Sequence, residues 1–329
     1  MGGEELSDKS YVVKFAALTF LNMALLTLVI WLIPEKNYFD GEYPFWKQQR
    51  DYTHTTGNTS QILFLGDSAF KAAVIPDLIG DSAYNLSLGG AGPIEMYYTL
   101  KNYLENHPKP QKVLFSFAPM HFTYLDRYRD RTLYFHFLSP QEQIESQLNI
   151  FSLDNVSLSD KWAMSLENVQ FMIKFPTKYF QTIKNSELKR GHVNEEHYQQ
   201  TAAERGHMFF GRNPEWFNKY EIHKQLQVDF KPLQVEDFYL RKLFQLCTDN
   251  DIQAYMVQTP INQITYSAAS KYDYFPPYQE YLKNLAEELS VNIESDLIFY
   301  DVTLFGDELH LNEKGAEIYS KKLKGKYNL

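Results

Sequence analysis

The spacing of apolar and polar positions divides the chain into stretches of different character. Phe15 to Ile33 runs for 19 residues without a charge. As a helix rising about 1.5 Å per residue, a segment of that length crosses a hydrocarbon core. Trp31 suits the interfacial end and Pro34 stops the helix. No small-residue cleavage site follows, so residues 15–33 are predicted to be an uncleaved transmembrane signal anchor behind an N-terminal tail, 1–14. Lys9 and Lys14 precede the span, and Lys36, Lys47 and Arg50 follow it, so the flanking charges do not orient it. Residues 34–60 are polar and turn-rich and are predicted to form a linker.

From Gln61 the pattern alternates. Ile62–Leu65 reads as a buried strand and 69–79 as a helix ended near Gly80. Residues 83–88 read as a second strand closing on Gly89-Gly90-Ala91-Gly92, and Pro93–Asn106 as a helix with Pro in its first turn. Further strands are expected at 112–118, 252–258 and 297–300, with helices at 233–249, 277–289 and 313–323. Strands separated by helices imply βαβ units and a mostly parallel sheet. The fold class is therefore α/β, and residues 61–329 form the main domain.

Residues 121–231 break this alternation. The segment is helix-rich and aromatic, too long for a plain loop, and follows a strand's carboxyl end, where open α/β sheets place their crevices. It is predicted to be a lid or a partner-binding subdomain.

Composition narrows the partners. A net charge of −9 argues against nucleic acid. The single cysteine, Cys247, excludes an internal disulfide and sits on an apolar helix pattern, as an inert thiol would. His192, His197, His207 and His223 lack compact ligand spacing, so neither a metal site nor a cofactor is expected.

The chemistry lies at two points. Gly66-Asp67-Ser68 falls between a strand and a helix, a turn that exposes a hydroxyl beside backbone N–H groups. A serine in such a place most often caps a helix. Far away stands Asp307-x-x-His310, where a tight turn lets the carboxylate reach imidazole Nδ1 and leaves Nε2 as a base. Together they are the parts of a nucleophilic acyl-transfer site. Arg127, Arg129 and Arg131 form a short basic set that alternation would place on one strand face; a solvated surface and contact with an acidic glycan or phosphate are both open.

Gly66-Asp67-Ser68, Asn85 with Gly89-Gly90, and Asp307-x-x-His310-Leu311-Asn312 resemble the blocks of the SGNH (GDSL-type) hydrolase superfamily. The resemblance covers residues 61–119 and 233–329 and implies a flavodoxin-like, three-layer fold. It implies Ser68 as nucleophile, His310 as base and Asp307 as its orienting acid. The backbone N–H groups of Ser68 and of Gly89 or Gly90 would be oxyanion donors, with Asn85 shaping the second loop or meeting substrate. The superfamily's third block, Gly-x-Asn-Asp, supplies an Asn donor. Here the strand continues instead into Ser116-Phe117-Ala118-Pro119-Met120-His121, and Ser116 and His121 are the replacements at hand.

An N-terminal anchor, such a core and an altered third block look similar to membrane-anchored acyltransferases of bacterial surface polymers, such as alginate O-acetyltransferases and the D-alanine transfer protein of teichoic acids. That likeness implies an extracytoplasmic domain, an acyl donor, a glycan or polymer acceptor and a multi-spanning membrane-bound O-acyltransferase as partner. An esterase or deacetylase using water, and a non-catalytic scaffold that keeps the triad, are the alternatives.

Overall fold

A computed structural model describes residues 2–57, 59–125, 128–211, 213, 215, 217 and 229–329. Five parallel strands form its sheet: β1 (Ile62–Gly66), β2 (Ala83–Asn85), β3 (Lys112–Ser116), β4 (Gln253–Met256) and β5 (Asn292–Ile293), in the order β2-β1-β3-β4-β5. The chain moves outward from β1 to β2, then crosses back to β3. That reversal leaves a crevice beyond the carboxyl ends of β1 and β3. Gly66 pairs with Ser116 at that end.

The strands are apolar on both faces because helices cover both. Leu63, Leu65, Val113 and Phe115 belong to a core shared with α5 (Pro93–Asn106) and α10 (Gln234–Asp249), which pack on each other. Ile62, Phe64 and Leu114 face a second core with α3 (Ser68–Ala73) and α13 (Glu313–Tyr327). Local chemistry sets the helix starts. Glu95 reaches back to the Gly92 N–H ahead of Pro93, and Asn312 accepts from the Gly315 N–H to open α13.

Several expectations need correction. The stretch at 34–60 is not a linker. It holds α2 (Tyr43–His54), whose Tyr43, Phe45 and Trp46 are buried and which packs on α5 and on α9 (Gly191–Ala203). Its apolar residues cluster at one end among polar ones that are themselves buried, such as Gln48 and Gln49, so composition hid the helix. The helix expected at 69–79 is two, α3 and α4 (Pro76–Ile79). Pro76 forces Ile75 into an extended conformation, and Ser320 Oγ takes up the Ile75 N–H. The last strand is Asn292–Ile293 rather than 297–300, because that segment takes the free edge of β4 directly after α12 (Phe275–Leu289). Phe299 makes only an isolated bridge to Ile261. Residues 2–14 do not stand apart from the apolar segment: α1 runs without a break from Gly2 to Leu32, and Pro34 follows its end.

Among the described residues one helix is long and apolar enough to cross a membrane, Ser10–Leu32 within α1, and only 6% of its most apolar window is buried. The inserted region contributes α6 (Pro140–Leu153), α7 (Leu158–Met172), α8 (Pro176–Ser186) and α9.

Candidate active site

The crevice at the sheet's switch point contains a cleft of about 430 Å³. Ser68 is the first residue of α3, so its N–H has no partner inside the helix. Asp67 caps that helix: Oδ1 accepts from the Phe70 N–H at 3.1 Å, while Oδ2 accepts from the Ala118 N–H at 2.6 Å and lies 3.4 Å from His121 Nε2. The carboxylate thus ties the Ser68 turn to the segment after β3. Gly66 is required one step earlier, because a side chain there would overlap the Ser116 carbonyl.

Ser68 Oγ lies 2.8 Å from His310 Nε2. His310 Nδ1 lies 2.8 and 2.9 Å from the two Asp307 oxygens. The turn expected from the Asp-x-x-His spacing is present: Asp307 Oδ1 also accepts from the N–H groups of Leu309 and His310. Burial pushes the Asp307 carboxyl up, but the hydrogen bond and charge of His310 and those two N–H groups outweigh it and hold it below the ordinary carboxylate range. An ionised Asp307 favours a proton on Nδ1 and leaves Nε2 to accept from Ser68. The structure therefore brings together three residues that lie 242 positions apart at the extremes.

Gly89 and Gly90 line the same cleft. They are the central pair of a turn closed by the Ala91 N–H on the Leu88 carbonyl, and Gly90 takes φ 78°, which a glycine adopts at no steric cost. Asn85 is not in the cleft. It is fully buried, its Nδ2 donates to the carbonyls of Lys71 and Val74, and its Oδ1 accepts from the Ser87 N–H. Its work is to hold β2 to α3, which corrects its assignment as a substrate contact. Ser116 is also turned away, 2.8 Å from Thr259 Oγ1, whereas His121 lines the cleft.

Arg129 and Arg131 do not lie on a strand. The segment Tyr128–Leu133 is a π-helical turn, so alternation does not apply. Arg131 lines the cleft and donates to Asp40 at 2.9 Å. Arg129 instead pairs with Glu167 on α7. Arg127 lies outside the described residues, as does His223. His197 stacks on Phe45, and His207 contacts the Ala72 carbonyl.

Residues that the sequence did not single out complete the walls. The Phe210 ring lies tilted against His310 at 4.9 Å between centroids, and the Asn213 N–H donates to the Gly306 carbonyl, so the insertion closes over the Asp307–His310 turn. The Glu42 carboxylate, from the supposed linker, lies against Gly89. Lys71, one turn beyond Ser68, is fully buried and donates to the Ser87 carbonyl at 3.1 Å and the Gly206 carbonyl at 2.5 Å. It pins α3 to the glycine loop and to the insertion, and burial pushes its pKa down to about 7. Behind the loop, Glu95 accepts from the Gly92 N–H and from Thr132 Oγ1, next to Arg131. Burial raises the pKa of Glu95, and burial together with the Glu95 charge raises that of Glu236 well above the ordinary range. A lysine amid apolar positions, or a glutamate in a first helical turn, carries no signal in sequence that separates these roles from ordinary ones.

No family model matches the chain, and no curated protein matches it. A solved structure from Streptococcus pneumonia, whose description carries the words platelet activating factor, aligns over 93% of this chain and 98% of its own length at 16% identity, with a TM-score of 0.35. So slight a likeness bears on neither fold nor chemistry.

Proposed function

We propose that the chain is a membrane-anchored serine O-acyltransferase of the SGNH type, with a flavodoxin-like domain on the extracytoplasmic side. The observation that carries this reading is the unbroken relay from Ser68 Oγ through His310 to Asp307 at 2.8 Å per step, set at the switch-point crevice of a 2-1-3-4-5 sheet. His310 Nε2 takes the Ser68 proton as Oγ attacks the carbonyl carbon of an activated acyl donor. The tetrahedral oxyanion is met by the N–H groups of Ser68 and of Gly89 or Gly90. Its collapse expels the donor's leaving group, which takes the proton from His310. An acceptor hydroxyl then attacks acyl-Ser68 by the same steps, with His310 removing its proton and returning one to Ser68.

The cleft gives some guidance about substrate. Glu42, Asp67, Asp307 and Glu308 outnumber Arg131 along its walls, which favours a neutral sugar hydroxyl over a polyanion as acceptor. A small recess of about 40 Å³ shares Ala69, Ala118, Glu308 and Leu309 with the cleft, space for a few water-sized groups and so for a short acyl chain. With the candidate span Ser10–Leu32 read as an anchor, the proposed acceptor is a polysaccharide or other polymer at the cell surface, and the proposed source of acyl groups is a multi-spanning O-acyltransferase.

Mixing the full chain in detergent with an aryl acetate, with and without an oligosaccharide acceptor, tests the reading. Turnover that rises with acceptor and yields acetylated sugar supports transfer. Turnover indifferent to acceptor makes water the acceptor and the protein an esterase. No turnover, with Ser68 inert to a serine-directed phosphonate, makes it a scaffold.

A further inference from the structure

Helix α7 is amphipathic in the wrong sense for a soluble domain. Leu158, Trp162, Leu166, Val169 and Ile173 fall within an arc of about 80° at 100° per residue, and all five are exposed, Leu158 by 85% and Trp162 by 75%. No charged residue shares the arc. The opposite side is the one that packs. Asn168 and Phe171 are buried, Asn168 donates to Gln147 of α6, and Glu167 is held by Arg129 and Lys178. A surface helix ordinarily turns its apolar stripe inward, and a contiguous exposed row marks a contact.

The row is continuous with the end of the apolar helix α1. Trp31 Nε1 donates to the Ile173 carbonyl at 2.9 Å, and Lys174 lies over the Trp31 ring at 4.6 Å while pairing with Glu35 at 2.6 Å. Ile30 is buried in the domain's core. The helix packed along α1 is α8, which exposes Phe180, so α7 leaves α1 at Ile173 rather than running beside it. The last turn of a membrane span, with its interfacial tryptophan, is thus joined rigidly to one end of an exposed apolar row about 22 Å long.

We infer that α7 lies in the plane of the membrane interface, with Leu158, Trp162, Leu166, Val169 and Ile173 in the acyl boundary of the bilayer. The inference rests on the reading of α1 as a membrane anchor. A bilayer fits the row better than a protein partner does, because the row begins where the span ends and consists of one uncharged face without a groove. Two attachments, α1 and α7, fix the tilt of the domain and hence the direction its cleft faces; a single helix would let it swing.

Spin labelling tests this on the full chain reconstituted in phosphatidylcholine vesicles. Cys247 is fully buried and burial pushes its thiol up to about 12, so an introduced cysteine takes the nitroxide. Labels are placed at Leu166→Cys in the row, at Asp160→Cys outside it, and at Leu21→Cys within α1. We expect collisional relaxation by oxygen, relative to a water-soluble nickel chelate, to be several-fold higher at 166 than at 160 and to approach the value at 21. A nickel-accessible label at 166 with a lipid-exposed label at 21 overturns the inference and leaves the anchor standing. A label at 166 shielded from both reagents overturns it in favour of a protein contact, a second copy of the chain. A nickel-accessible label at 21 overturns the anchor itself.

Discussion

The sheet and the inserted region bury themselves by different means. The sheet is close to uniformly apolar: Leu63, Leu65, Val113 and Phe115 face one core and Ile62, Phe64 and Leu114 the other. The insertion is built on aromatic rings and polar pairs. Tyr134 and Tyr179 stack at 5.2 Å, Phe39 and Phe135 meet edge to face, and Gln147 and Asn168 bond between α6 and α7. The first kind of core holds Ser68 just past the end of β1. The second is anchored by specific pairs, and it sends Phe210 over His310 and Arg131 into the cleft. On the proposed function, reaction chemistry belongs to the sheet region, and orientation and access to the insertion. Substitutions in the two regions should therefore fail differently.

The largest effects should come from the sheet side, in activity without loss of fold. Ser68→Ala should lower kcat/KM for acyl transfer by about 10⁴-fold or more, while the melting temperature stays near that of the parent chain. Asp307→Asn should cost about 10⁴-fold in kcat by favouring the wrong His310 tautomer, read in the same assay. At the joint between regions, Lys71→Met leaves the Ser87 and Gly206 carbonyls without their donor. We expect a loss of about 1–3 kcal/mol in urea unfolding, together with a fall in kcat.

The insertion should show itself through pH and access. Burial, with help from Lys174 and Arg50 against the pull of Glu35, pushes His136 down to about 4. In the unfolded chain an ordinary histidine takes up its proton near pH ~6.5. The unfolded state therefore gains protons first as the pH falls. Stability is full above that value and declines as the pH moves down towards the folded value, by about 1–2 kcal/mol between neutral pH and 5. His136→Asn, which tolerates the left-handed backbone at this position (φ 54°), should flatten that slope in denaturant titrations. Phe210→Ala should have the smallest effect. Losing the ring against His310 should lower kcat/KM roughly three- to tenfold, and unfolding should be little changed.

How much was legible in sequence follows the same division. Strong periodicity and caps made Pro93–Asn106 readable to the residue, and the Asp307-x-x-His310 spacing anticipated a turn that does form. Where a polar residue is buried by a partner distant in sequence, local pattern fails. Gln48 bonds Tyr84, Gln49 bonds the Asn85 carbonyl, and α2 was therefore hidden in what reads as a linker. Glu42 and Phe210 reach the cleft only through tertiary packing. Arg129 and Arg131 escape the alternation rule because a π-helical turn has neither the strand nor the α-helical period.

The most direct test of the central claim is to look for the acyl-enzyme. The full chain is mixed with an activated acetyl ester, quenched in acid and measured by intact-protein and peptide mass spectrometry. We expect one acetyl group on the peptide containing Ser68, absent from Ser68→Ala and discharged when a sugar acceptor is added before the quench. An unmodified chain, or an adduct that persists in Ser68→Ala, would contradict the assignment of Ser68 as the nucleophile.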